Sequence, residues 1–391
     1  MQQAGAVLAA FCSLALIPSV AEGQSVAQGL SDLLTQQTPP PQGYVRDRAA
    51  AEATFGTVAA LFQVELSNLP VVSSSGGFVY RFNPTFGTAE RASDSFGPFF
   101  TERAVRNGRK NLSLSVAFDF ASFASLQGAD LTAGTFPTNT ARFASQVLPF
   151  SVDTLSLAME KKTVTGFASY GVSDRLDVGI AVPVTRLRFS GIRVNTFDGV
   201  SSLQSRQSGD ALGFGDIGVH ARYRLAGTAG TGVAVGTDVR FPTGREEDLL
   251  GAGQMTWRFS GIGSWERKRI ALHANGGLGF GGFSREQFWS GAVTVAAGLR
   301  LSVVGEVIGR RLNELHRVSD VYSPHPVLAG VETMRWLPTD AGVHTVFLVT
   351  GVKWNVGQKA LLNLHVLSRL TDTGLKARFT PALAVDYGFG F

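Results

Sequence analysis

Cysteine is all but missing: Cys12 is the only one in 391 residues, and it lies in a segment expected to be removed. The remaining chain therefore has no disulfide, no cysteine metal site and no thiol nucleophile. Charge is scarce too, at 17% against ~25% in ordinary soluble domains. Beyond the first 21 residues no run approaches the ~18 to 20 uninterrupted apolar residues of a spanning helix. That excludes a helical membrane protein, and an apolar fraction of 44% excludes a chain disordered throughout. Glycine (46 residues) and phenylalanine (28) are abundant instead.

Residues 1–21 read as a signal peptide. They carry no charged side chain, an apolar stretch from Ala6 to Ile17, Pro18, and the small residues Ser19 and Ala21 at the positions a signal peptidase reads. Gly23 is an alternative cleavage point. Phe11 stands before Cys12, where lipoprotein attachment needs a small residue. Export without cysteines suits the envelope of a double-membraned bacterium better than a small secreted scaffold.

From about residue 77 the ruling signal is alternation, sustained over runs of about ten residues, the length a tilted strand needs to cross hydrocarbon. Leu112, Leu114, Val116, Phe118 and Phe120 share one face; Leu176, Val178, Ile180, Val182 and Val184 do the same, opposite Asp177, Gly179, Ala181, Pro183 and Thr185. Three further runs, 216–225, 233–242 and 270–280, follow the same rule. The opposite faces hold glycine, alanine and scattered arginine or aspartate rather than the Lys, Glu and Thr of a sandwich facing water. The pattern predicts an all-β fold, a transmembrane antiparallel β-barrel over 73–391, with glycine mainly on its inward face and in turns.

Short links near 106–109, 171–174, 226–231, 266–268, 297–298 and 356–358 alternate with long ones through about 123–151, 191–213, 243–253, 281–290, 312–342 and 371–378. All the short links fit one rim. With Phe78 to Asn83 and Phe96 to Val105 as the first pair, the count is about fourteen strands, in a range of twelve to sixteen. Residues 22–72 differ: Thr38-Pro39-Pro40-Pro41 is a stiff spacer, and Ala49 to Leu66 is alanine-rich with Ala60, Leu61 and Val64 at helical spacing. This extension lies in the periplasm, enters the lumen as a plug, or remains a disordered leader. At the other end Leu383, Val385, Tyr387, Phe389 and Phe391 share a face. A terminal aromatic after alternating aromatics resembles the signal read by the barrel-assembly machinery.

Several segments resemble a family of outer-membrane proteins associated with meta-cleavage phenol degradation, related in presumed role to fatty-acid and toluene channels. They are Ser73-Ser74-Ser75-Gly76-Gly77-Phe78-Val79-Tyr80-Arg81-Phe82, Ser95-Phe96-Gly97-Pro98, Tyr170-Gly171-Val172-Ser173-Asp174-Arg175-Leu176-Asp177-Val178-Gly179, Gly215-Asp216-Ile217, Phe241-Pro242-Thr243-Gly244 and Asp248-Leu249-Leu250-Gly251. The resemblance implies a barrel that moves hydrophobic or aromatic compounds, and it carries no substrate residue across.

Catalytic motifs are few. Gly277-Leu278-Gly279-Phe280-Gly281 is too short for a dinucleotide fingerprint, and there is no phosphate-binding loop, zinc-binding histidine pair or nucleophile elbow. The reading is therefore no enzyme, no cofactor and no metal. His220 and His273 fall on the inward phase, within conceivable reach of Asp216, Asp238 or Glu306; a satisfied luminal histidine is the plainer reading. The strongest constellation is the inward set Arg222, Arg224 and Arg240 against Asp177, Asp216, Asp238 and Glu306. Opposed charges in a narrow pore set selectivity, or they pair across the lumen and stiffen it. Glu246, Glu247 and Asp248 form an acidic stretch in a long link, a solvated loop or a divalent-cation or lipopolysaccharide bridge. Net charge is +5, but the arginines are spread over strands, which excludes a nucleic-acid partner. The partners expected are outer-membrane lipid and lipopolysaccharide, the assembly machinery and a small apolar solute. The function expected is passive uptake through the outer membrane; a structural or adhesion barrel with a blocked lumen and a barrel-rim hydrolase are the alternatives.

Overall fold

The computed structural model describes residues 24–38, 45–67, 80–83, 88–91, 93–104, 108–228, 230–357 and 359–389. The expected signal peptide, the Pro39–Pro41 spacer, most of the Ser73–Phe82 match and Phe391 lie outside these. Helices α1 (Val26–Thr35) and α2 (Arg48–Ser67) come first. A small hairpin, β1 (Tyr80–Asn83) with β2 (Thr88–Arg91), follows as a sheet of its own. Next are β3 (Leu112–Leu126), β4 (Ala129–Asp130), β5 (Phe136–Phe143), β6 (Ser151–Gly171), β7 (Leu176–Phe197) and β8 (Val200–Phe214). Then come β9 (Ile217–Gly227), β10 (Gly232–Phe241), β11 (Thr256–Arg267), β12 (Ile270–Gly281) and β13 (Glu286–Ala296). The chain ends with β14 (Leu301–Pro324), β15 (Val331–Asn355), β16 (Ala360–Arg369), β17 (Leu375–Ala377) and β18 (Thr380–Phe389).

The wall is a closed antiparallel ring, β3-β6-β7-β9-β10-β11-β12-β13-β14-β15-β16-β18 and back to β3. Closure satisfies every edge, as a sheet in lipid must. The expected barrel is thus the observed fold, with twelve wall strands, the low end of the expected range. The difference from fourteen lies in the first pair: β1 leaves the wall, and residues 93–104 form no strand but run inside the lumen. The short links do share one rim. Several long links, however, are not loops. Residues 191–213 and 312–342 are mostly strand, the outer halves of β7, β8, β14 and β15, and Asp198 and Gly199, both at positive φ (45° and 81°), close the β7–β8 hairpin.

These extensions explain themselves once each strand is followed past the belt. On β7, Val178, Ile180, Val182 and Val184 point outward, then Arg186, Arg188 and Ser190; inward stand Asp177, Gly179, Ala181, Pro183 and Thr185, then Leu187 and Phe189. The period of two never breaks, but its apolar phase changes face at Thr185/Arg186. The same inversion falls at Lys162 on β6, Arg311 on β14 and His344 on β15, where inward residues become Met159, Leu312 and Val343. Below that level the outside of the wall is apolar and exposed; above it, the inside does the burying.

What it buries is the pair of helices. Val26, Leu30, Leu33 and Leu34 of α1 and Val58, Leu61, Phe62 and Leu66 of α2 form one core with Phe136, Leu155, Leu157, Leu187, Phe189, Met334 and Trp336 of the arms. Each such side chain contributes ~1.5–3 kcal/mol. Ser25 caps α1 through Gln28 N (3.2 Å), and Asp47 caps α2 through Ala50 N (3.0 Å). Glu65 near the end of α2 pairs with Arg310 (3.2 Å) and Arg369 (3.1 Å) on the wall.

The belt is bordered by aromatic residues. Tyr170, Tyr223, Trp265, Trp354, Tyr387 and Phe389 lie on the outer face at the short-turn rim; Phe214, Phe241, Trp257, Phe280 and Trp289 lie on it toward the other side. Trp257 and Trp265, on one strand, are separated by about 27 Å of chain at ~3.4 Å per residue. A ~40° tilt reduces this to roughly 20 Å of height, near the ~25 Å band of known transmembrane barrels. Glycine does not keep to the inner face: Gly261, Gly276, Gly291, Gly305 and Gly309 point outward. At Gly309 a Cβ would strike the Trp289 ring, its cross-strand neighbour. Some outward glycine thus makes room for an interfacial aromatic, while inward Gly179 makes room for His220.

Candidate functional site

The lumen is the one concave space that the wall strands share, and the chain itself occupies both ends. On the side of the long strands stand α1 and α2. On the short-turn side lies the segment 93–104, gripped by wall side chains acting mainly on its backbone. Glu306 of β14 accepts from the N–H groups of Phe99, Phe100 (3.1 Å) and Thr101 (2.9 Å) and from the Thr101 hydroxyl (3.0 Å). Lys353 of β15 donates to Pro98 O (2.6 Å), Phe96 N donates to Ser302 Oγ (3.2 Å) and Ala104 N to Ser264 Oγ (2.9 Å). The Asn275 amide, with its oxygen toward Glu102 N (2.6 Å) and its nitrogen toward Glu102 O (3.0 Å), adds two more. Phe99 and Phe96 supply apolar anchors, against Val304, Val349 and Leu367 and against Leu361 respectively.

Between the two occlusions is a chamber of about 190 Å³, with a smaller space of about 80 Å³ beside it that shares Phe100, Phe167, Asp216 and Arg240. Its wall combines rings and charge: Phe167, Phe288 and Phe347 with Asp238, Arg240 and a bidentate Arg258–Glu286 pair (3.0 and 2.7 Å). A charged lining stays hydrated or paired, and the aromatic faces among it are the apolar part of the chamber wall.

The residues singled out from the sequence separate into three groups. Asp216, His220, Asp238 and Arg240 line the chamber. Asp216 also accepts from Gly244 N (3.1 Å) and Ala252 N (2.8 Å), tying down the β10–β11 loop. Asp177, Arg222 and Glu306 face the inserted segment instead: Arg222 bridges Asp177 (3.4 Å) and Glu102 (2.5 Å). Arg224 joins neither group; it donates to Gly227 O (2.5 Å) and Thr228 O (2.6 Å) at the β9–β10 turn. Tyr387 and Phe389 stack obliquely, centroids 4.6 Å apart, at the short-turn rim. The acidic stretch Glu246–Asp248 is a short 3₁₀ turn that meets the helices, Asp248 accepting from Val26 N (3.3 Å) and Glu246 from Gln63 (3.1 Å).

Sequence reasoning missed Lys353, Glu102 and Arg258. Lys353 and Arg258 were legible in principle, being charged residues on the inward phase of apolar strands; Glu102 was hidden because 96–105 reads as a strand. As for chemistry, Ser264 Oγ is 2.9 Å from His273 Nδ1, but that hydroxyl already accepts from Ala104 N and His273 Nε2 has no hydrogen-bond partner in the structure. Among the described residues no carboxylate is hydrogen-bonded to this histidine, so they do not assemble a serine-histidine-acid arrangement around it. Among the described residues no group of three His, Cys, Asp or Glu side chains can hold a metal ion.

No family model matches the chain, and no curated protein sequence matches it. Solved structures do. The crystal structure of the COG4313 outer membrane channel from Pseudomonas putida F1 aligns with 73% of this chain and 98% of its own at 11% identity, TM-score 0.49. The P. putida toluene transporter TodX aligns with 72% of this chain and 90% of its own at 10% identity, TM-score 0.34. The KdgM porin in complex with disordered oligogalacturonate aligns with 61% of this chain and 99% of its own at 8% identity, TM-score 0.35. They are described as a channel, a transporter and a porin; likenesses this distant carry nothing about cargo.

Proposed function

We propose that the protein is an outer-membrane channel for passive uptake of small hydrophobic or aromatic solutes, closed at rest by its own residues 93–104 at one end and by the helix pair at the other. Its location is supported by the aromatic-bordered apolar belt around a closed ring, and its cargo class by the phenylalanine-lined chamber and the family resemblance of the sequence. The observation that carries the reading is the manner of closure. Residues 93–104 do not pair with the wall as a strand; side-chain hydrogen bonds and two phenylalanines hold them. Each such bond to a charged group is worth ~1.5–3 kcal/mol net, far less than its strength in isolation, because water replaces it when the segment leaves.

The same occlusion favours a second reading, a structural barrel with a permanently blocked lumen. Proteoliposome permeation separates the two. The channel reading expects entry of a small aromatic anion such as benzoate above that of empty vesicles, and faster entry when residues 93–104 and the two helices are deleted together. A folded barrel that stays impermeable to ions and aromatics even after the deletion refutes it.

A further inference from the structure

Where the apolar phase inverts, the outer wall of β6, β7 and β8 presents a compact set of cations over two successive outward positions. Lys162 and Arg186 are cross-strand partners, and Glu160 and Arg188 are the next outward pair above them. Asp210 of β8 stands opposite Arg188, and both arginines bond it: Arg186 at 2.9 and 2.7 Å, Arg188 at 2.9 Å. Lys162, Arg186 and Arg188 thus face outward with the carboxylates of Glu160 and Asp210 among them. Lys162 lies 5.7 Å from the Phe120 ring centroid and makes no ion pair. Directly below are Val164, Val184, Phe118 and Phe214 of the apolar belt.

We infer that this face binds the lipid A phosphates of lipopolysaccharide in the outer leaflet. The inference rests on the outer-membrane placement proposed above. The geometry matches that lipid in two respects. A phosphate group of an outer-leaflet lipid sits at the boundary between hydrocarbon and water, the level at which β6 and β7 change face. Arginine and lysine bind phosphate through charge-assisted hydrogen bonds, arginine in a bidentate fork. Asp210 holds the two guanidinium groups side by side; the Arg186 hydrogen bond, with Arg188 adding to it, keeps the Asp210 carboxyl below its ordinary range. The arginine exposures, 43% and 47%, leave N–H groups free to face lipid. The strands behind them are rigid, since Leu187 and Phe189 anchor the opposite face in the helix-packed core.

The test is native mass spectrometry of the full-length barrel, titrated with lipopolysaccharide, with phosphatidylglycerol and with inorganic phosphate, beside the variant Lys162→Ala/Arg188→Ala. Lipopolysaccharide should bind the parent in preference to the other two, and the variant should bind it about tenfold more weakly or less, one decade per ~1.4 kcal/mol of lost contact. A heat-modifiable gel shift reports that the variant is folded. Equal binding by parent and folded variant overturns the inference, as does equal affinity for phosphatidylglycerol or inorganic phosphate. If the variant fails to fold, Lys162→Ala alone, which breaks no ion pair, replaces it and must show the same direction. Membrane fractionation is a separate readout: a protein absent from the outer membrane refutes the placement itself, whereas one present there without lipopolysaccharide preference refutes only this site.

Discussion

Glu306 concentrates the behaviour of the lumen in one side chain. As an expected pore-lining charge it was legible from the strand phase; its partner was not, because three backbone N–H groups leave no mark in a sequence. Its carboxylate satisfies donors of Phe99, Phe100 and Thr101 that are otherwise buried, and an orphaned buried donor costs about 1–3 kcal/mol. Glu306→Ala is therefore expected to shift the inserted segment toward release by at least about tenfold. Planar-bilayer recording checks this: the variant should open more often than the parent, at the same open-state conductance. Unchanged opening would assign the segment's retention to the phenylalanine anchors instead.

At the scale of elements, the two helices show why some structure was readable and some was not. Ala49 to Leu66 reads as helical, and α2 runs Arg48–Ser67. The shorter α1 went unread although its signals are present: Ser25 as cap, then Val26, Leu30, Leu33 and Leu34 at positions i, i+4, i+7 and i+8. Strand arms were misread as loops for another reason. Arg186, Arg188 and Ser190 end the apolar outward row, and a reader following one face sees the strand stop when the apolar residues have only changed sides. The helices hold on that second face, so truncating Phe62 of α2, which is 1% exposed, should loosen the cap. Phe62→Ala is expected to cost about 3–5 kcal/mol, visible as faster amide hydrogen exchange in residues 48–67. Belt strands β9 to β13, which supply no residue to the helix core, should keep their protection; equal acceleration there would mean that cap and barrel unfold together.

The whole molecule is one alternating sheet used in two environments. Its period, its short-turn rim and its inward charges were legible because each is local. The number of wall strands, the reversal of its faces and the self-occupied lumen depend on which segments meet in space, and pattern alone does not report that. The most direct test of the account is a cysteine scan along β7. Cys12 is the chain's only cysteine, so in a Cys12→Ser background single cysteines at positions 178–190 give clean signals in lipid vesicles. The account predicts that a fluorophore at 180, 182 or 184 is quenched by a lipid-borne quencher while 181 and 183 are not. At 186 and 188 a membrane-impermeant aqueous thiol reagent should react, while 187 and 189 stay protected by the helix core. Lipid quenching that continues through 188, or aqueous labelling of one face along the whole strand, would contradict a wall whose apolar face turns inward at the membrane boundary.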